Sequence, residues 1–219
     1  MEDRVILVDK PEGISSFGVV AKVRGRLKAE FGHKVKVGHT GTLDPFATGL
    51  LILLSGKMTK KSGEFLKLDK EYVATMKLGY TSTTGDPEGQ IQEYSVKSVL
   101  PPIESVLSDF IGKIVQTPPR YSAIKINGER AYKLARKGQE FEIPKREVEI
   151  YEIEVLRYEY PELEIRCHVS SGTYIRTLAE DIGERLGTGA YLTALRRTRV
   201  GKYDVKDAVK LDELVTTNS

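Results

Sequence analysis

Four side chains in this sequence stand where chemistry is possible. Asp44 lies in "GHTGTLDPFATGLLILL" (38–54), where three glycines and an Asp-Pro pair precede an apolar run. Such a carboxylate has two readings. It accepts backbone N–H bonds and starts a turn whose φ the proline pre-sets, or that turn presents it, ionised, to a substrate. Arg176 follows "SSGTYI" in the first turn of a helical pattern, where the macrodipole disfavours a cation by a few tenths to ~1 kcal/mol. Either it pairs with Glu180, in the weaker Arg-before-Glu orientation, or it meets an anion from elsewhere, a phosphate or a carboxylate such as Asp44. Tyr72 opens a strand and reads as half-buried packing. His39, beside Gly38, reads as a turn or core histidine or as a functional one. A further stretch, "QTPPRYSAIKINGERAYKLARKG" (116–138), interleaves tyrosines with basic residues. It suits either an RNA-tracking segment or an exposed hairpin.

These residues need elements to position them. "VILVD" (5–9) reads as a buried strand, and Ser15 or Ser16 as the cap of a helix with Val20, Val23, Leu27 and Phe31 on one face. A strand is expected over 34–37, the apolar run 50–54 follows the Asp44 loop, and 57–66 reads as helical. From Tyr72 the pattern alternates, with Ala74, Met76, Leu78 and Tyr80 on the same face. "TTGDPEGQ" (83–90) is a loop, and short helices are expected near 106–111 and 131–137. Residues 146–158 and 163–169 read as long paired strands joined at Tyr160-Pro161. Ile175, Leu178, Ile182 and Leu186 mark an amphipathic helix stopped by Gly187. Residues 191–203 read as extended. Strands mixed irregularly with short helices predict an α+β fold with a mixed sheet.

With 219 residues, 40% hydrophobic and 30% charged, the composition is that of an ordinary globular protein. No linker or repeat is visible, so a single domain over 1–219 is expected. The net charge of +3 permits an anionic partner without demanding one. Basic residues bunch at Lys22, Arg24, Arg26 and Lys28, at Lys57, Lys60 and Lys61, and at Arg196, Arg197, Arg199 and Lys202. These bunches are solvated faces or a nucleic-acid surface. Cys167, the one cysteine, excludes an intrachain disulfide and suits a reducing compartment. Three histidines and one cysteine give no metal-ligand spacing. The amino terminus lacks the pattern of a signal peptide, and the run 50–54 is too short to span a bilayer. A cytoplasmic protein, monomeric and without membrane contact, is expected.

Taken together, "LVDKPEGISS", "GHTGTLDPFATGLL", "DKEYVATMKLG", "TPPRYSAIKINGERAYKLARKG", "VSSGTYIRTLAEDIG" and "GAYLTALRRTRVG" resemble the TruB family of tRNA pseudouridine synthases along nearly the whole chain. The resemblance implies the pseudouridine synthase fold, with a mixed, mostly antiparallel central sheet flanked by helices and loops. It implies an enzyme that isomerises uridine to pseudouridine in the T-loop of tRNA, at position 55, without a cofactor. By position, Asp44 matches the catalytic aspartate, Tyr72 the tyrosine that packs on the target base, and Arg176 the arginine that pairs with the aspartate. Leu195 matches an apolar residue lining the pocket, and His39 the histidine associated with opening the T-loop. Lys10 and Pro11 match a motif that supports the catalytic loop. Lys10, Tyr174 and Lys60 are grouped here with the substrate-binding residues. Bacterial members continue into a C-terminal RNA-binding domain, often of the PUA type, and this chain is expected to lack it.

The chemistry fits such a site. The C1′–N1 bond must break, the base must turn over and a C1′–C5 bond must form, for which an ionised, aimed carboxylate is the needed group. Unstacking the base costs a few kcal/mol, and stacking on Tyr72 returns roughly 1–3 kcal/mol. Three alternatives remain open: a non-catalytic RNA-binding module, a glycoside or nucleoside hydrolase, and the guide-RNA-dependent relative of the same superfamily.

Overall fold

The structure, a computed structural model, describes residues 2–95 and 100–216. In chain order the elements are β1 (Val5–Lys10), α1 (Ser16–Phe31), β2 (Val37–His39), β3 (Thr48–Ser55), a 3-10 turn (Gly56–Lys61), α2 (Ser62–Leu66) and β4 (Lys70–Leu78). There follow β5 (Tyr80–Ser82), β6 (Ile91–Glu93), α3 (Ile103–Ser108), β7 (Gly112–Gln116), β8 (Lys125–Ile126), β9 (Glu129–Arg130), α4 (Ala131–Arg136) and β10 (Arg146–Glu159). The chain ends with β11 (Glu162–Val169), α5 (Ile175–Leu186), β12 (Ala190–Val200), β13 (Tyr203–Asp204), a 3-10 turn (Val205–Asp207), β14 (Val209–Lys210) and α6 (Leu211–Thr216).

The chain divides into two compact units, Met1–Tyr72 with Leu195–Ser219, and Val73–Ala194. The sequence points to one continuous domain because no loop marks this division. The chain passes between the units in the middle of β4 and again in the middle of β12.

In the first unit the sheet runs β14-β1-β3-β12, with β2 on β3 and β13 on β12. β1 and β3 are antiparallel, whereas β3 and β12 are parallel, with Arg197 opposite Gly49. All five residues from Leu50 to Leu54 are buried, as a strand covered on both faces requires. α1 lays Val19, Val20, Val23 and Leu27 into this core. Ser15 is its cap, accepting from Gly18 N–H at 3.0 Å, while Ser16 has another use described below. Leu50, Ile52 and Leu54 pack with Phe65 and Val200, and Phe65 stacks on Tyr203 at 5.7 Å.

In the second unit the order is β12-β4-β11-β10-β7. β10 and β11 form the long antiparallel pair that the sequence suggests, and β7 adds an antiparallel edge that it does not show. The alternation from Tyr72 holds as far as Leu78, with Tyr72, Ala74, Met76 and Leu78 buried; Tyr80 is half-buried in β5, beyond Gly79, whose φ of +83° ends the strand. α5 buries Ile175, Leu178, Ala179, Ile182 and Leu186, and Gly187 ends it in the left-handed region. The sheet is mixed and mostly antiparallel.

Candidate active site

Asp44 sits in the loop between β2 and β3, and the backbone on both sides of it is held. The Asp44 carbonyl accepts from Ala47 N–H at 3.1 Å, closing a turn with Pro45 second. The Ser16 hydroxyl donates to the Leu43 carbonyl and accepts from Leu43 N–H, both at 2.8 Å. The Pro45 carbonyl accepts from Gly13 N–H at 2.8 Å and from Lys10 Nζ at 3.0 Å. From β12, Arg197 Nε donates to the Leu50 carbonyl at 2.7 Å and its Nη2 to the Gly41 carbonyl at 3.2 Å. These bonds bear out the turn reading of Asp44, and a turn held in this way is compatible with the functional one. Four points of the loop are fixed by the protein itself, the kind of support that an aimed side chain requires. Gly49 completes the support: its φ is +99°, and a Cβ there would stand 2.3 Å from the Arg197 carbonyl oxygen.

Two expectations change. Lys10, grouped with the substrate-binding residues, is fully buried, and its ammonium also donates to the Pro11 and Ile14 carbonyls at 2.9 and 2.7 Å. It cannot reach RNA from there; it braces the loop, as the motif it matches implies. Arg197, read among possible phosphate contacts, is 2% exposed and bonded to carbonyls. A buried guanidinium needs such partners. Its neighbours are committed as well, Arg196 to Asp9 by two bonds of 3.1 and 2.8 Å, and Arg199 to Glu71 at 3.3 Å. Burial and the nearby Arg197 charge lower the Lys70 ammonium to about 8.

The first unit also holds Tyr72 and Leu195, both buried, and His39, half-buried at the end of β2. The His39 ring meets Phe17 edge-on. Lys60 is exposed, beside Lys36 and Lys57 around an open hollow that Glu2 and Asp3 complete.

The second unit holds Tyr174 and Arg176 at the start of α5. Arg176 is 5% exposed. Its Nη1 donates to the Thr84 carbonyl at 2.9 Å and to Asp86 Oδ2 at 3.1 Å, and its Nη2 to the Tyr121 carbonyl at 2.9 Å. Its ion-pair partner on this helix face is thus Asp86, and the simple pairing with Glu180 is not what explains it. Asp86 is 3% exposed, with Oδ1 accepting from Thr84 Oγ1 at 2.5 Å and from Glu88 N–H at 3.0 Å. By sequence Asp86 reads as part of a loop, because Asp between Gly and Pro is ordinary turn chemistry. Only the fold shows that its carboxylate faces a buried arginine.

The start of the basic segment is fastened to the same turn of α5. Gln116 accepts from Tyr174 N–H at 3.0 Å and donates to its carbonyl at 3.3 Å, and Thr177 Oγ1 donates to the Thr117 carbonyl at 3.3 Å. Gln116, like Ser16, has no chemical signature in the sequence.

Burial pushes the Glu180 carboxyl up to about 7, with Arg176 opposing and Asp181 and Asp86 adding to the rise. The same cause, with Glu184, takes Asp181 to about 6. The native state holds the Glu180 proton more tightly than the unfolded chain. Its contribution to stability is present below the unfolded value near 4.5 and is lost as pH rises through 7. Glu180→Gln is therefore expected to be more stable than the wild type at pH 8, by up to a few kcal/mol. The gap should close towards pH 5. Denaturant melts at the two pH values measure it; a gap independent of pH would contradict the assignment.

Solved structures define the class. A chain in "Crystal Structure of a Cbf5-Nop10-Gar1 Complex" superposes with a TM-score of 0.73 at 34% identity, over 98% of this chain and 54% of that one. This chain thus spans about half the length of that relative. "Crystal structure of pseudouridylate synthase" matches at a TM-score of 0.50 and 14% identity over 96% of this chain and 68% of that one, which speaks to the fold alone. The fold is that of a pseudouridine synthase. Residues 27–175 match the model of the TruB family pseudouridylate synthase N-terminal domain, and residues 176–218 that of the tRNA pseudouridylate synthase B C-terminal domain. The tRNA pseudouridine synthase B of Phocaeicola vulgatus is 46% identical over 96% of this chain and 91% of its own length. The enzyme of that name from Aquifex aeolicus is 43% identical over 99% of this chain and 75% of its own. The chain belongs to the TruB family of pseudouridylate synthases.

Proposed function

We propose that this protein isomerises uridine to pseudouridine in the T-loop of tRNA, at position 55, acting as a monomer in the cytoplasm. The observation that carries the reading is the braced Asp44 loop, fixed by Ser16, Gly13, Lys10 and Arg197. Asp44 is the catalytic carboxylate. Arg176, itself held by Asp86 and by the Thr84 and Tyr121 carbonyls, is assigned as its ion-pair partner. Tyr72 stacks on the flipped base, with Leu195 lining the pocket. His39 and the segment 116–138 read the T-loop, Tyr174 contacts the substrate, and Lys60 meets phosphate. Breaking C1′–N1 and forming C1′–C5 moves one proton from C5 to N1 overall, so the isomerisation balances without a co-reactant.

The guide-RNA-dependent alternative is less well supported, since identity to the relatives named tRNA pseudouridine synthase B, 46% and 43%, is higher than the 34% to the chain of the Cbf5 complex. RNA is commonly read through splayed loop bases and backbone shape. An isolated T-arm stem-loop is therefore expected to be a substrate, with stem pairs exchangeable as long as pairing is kept. Tritium release from C5-labelled uridine measures this. Turnover that tracks the stem sequence and ignores the loop would overturn the substrate assignment. Among the described residues no helix is long and apolar enough to cross a membrane.

A further inference from the structure

Phe17 is the second residue of α1 and contributes nothing to the core. The inward face of that helix carries Val19, Val20, Val23 and Leu27, while Phe17 is 64% exposed. Among the described residues its one aromatic neighbour is the His39 ring, with centroids 5.2 Å apart and planes at 84°. The edge-to-face arrangement fixes the phenyl ring beside His39 and leaves most of its surface open. Along the exposed ridge of α1, four, seven and eleven residues on, stand Ala21, Arg24 and Lys28. This ridge therefore runs from an aromatic ring to two cations, past one small residue, Ala21, that lets a backbone approach. No acidic residue occurs between 16 and 29.

An exposed aromatic set on a rigid helix and continued by cations matches one partner chemistry, a single-stranded nucleotide run. Bases stack on such rings whatever their identity, and the flanking phosphates seek the cations. A protein partner would favour an apolar rim or mixed charge around the ring, and this ridge offers neither. We propose that Phe17 is a stacking platform for an unpaired base of the RNA substrate other than the target uridine, with Arg24 and Lys28 meeting the phosphates beside it. This rests on the reading of RNA as substrate. The platform and His39 form one surface, so the loop base that His39 reads and the base that Phe17 holds are close neighbours in the RNA.

The chain contains no tryptophan, so Phe17→Trp introduces a single fluorophore at the platform. Titration with an unmodified T-arm stem-loop should quench that emission by at least about twofold and saturate, while a fully paired duplex of the same stem should not. Phe17→Ala should raise KM about tenfold, within the range that losing one base–aromatic stack gives. Its kcat should stay within about twofold, and its melting temperature should be unchanged because the ring is exposed. Emission that ignores stem-loop binding, followed independently by anisotropy of labelled RNA, would overturn the proposal. So would a KM for Phe17→Ala within twofold of wild type. A wild type that binds the stem-loop and forms no pseudouridine would instead count against the proposed function, with the quenching result still deciding the platform.

Discussion

The Asp44→Asn variant is expected to bind tRNA within about twofold of wild type and to lose at least about a thousandfold in single-turnover rate. That loss corresponds to ~4 kcal/mol of transition-state stabilisation at ~1.4 kcal/mol per decade. The substitution keeps size and removes charge. The turn survives because its closing bond uses the Asp44 carbonyl, and the braces at Leu43, Pro45, Gly41 and Leu50 all act on backbone. Filter binding and rapid-quench turnover on one tRNA preparation separate the two effects. A rate above about a tenth of wild type would remove Asp44 from the chemistry. A parallel loss of binding would make it a substrate contact.

Arg176→Lys should cost about a hundredfold or more in rate, despite the retained charge. The guanidinium spans three acceptors at once, the Thr84 and Tyr121 carbonyls and Asp86 Oδ2. A single ammonium cannot reproduce that fork. Asp86, 3% exposed, would keep a cation nearby but lose its oriented partner. Removing one member of a buried pair outright costs ~3–5 kcal/mol, and the charge-keeping change should cost about half of that in unfolding free energy. Chemical denaturation and single-turnover kinetics check the two parts. Full activity with lowered stability would confine Arg176 to a structural role.

Some of this molecule was readable in advance and some was not, for identifiable reasons. The Asp44 loop and the α5 pattern are local signals, a turn chemistry and a helical period, and both appear where expected. Ser15 and Ser16 are equally good caps by residue type. Only the approach of Leu43 N–H and C=O decides that Ser16 is taken elsewhere. Arg197 looks like surface charge in "LRRTRV" because sequence patterns favour solvent for arginine. Its burial depends on carbonyls at Gly41 and Leu50, about 150 residues earlier. Asp86 and Arg176 are 90 positions apart, so their pairing is a property of the fold. The division into two units is hidden because it cuts β4 and β12 between hydrogen-bonded residues, leaving no glycine- or proline-rich linker to see.

One measurement bears most directly on the central claim. A whole, unmodified tRNA transcript is incubated with the wild-type protein and, in parallel, with Asp44→Asn, and pseudouridine is mapped nucleotide by nucleotide. The account predicts stoichiometric conversion at the T-loop uridine, position 55, by the wild type and none by the variant. Modification confined to the anticodon arm, or equal conversion by both proteins, would contradict it.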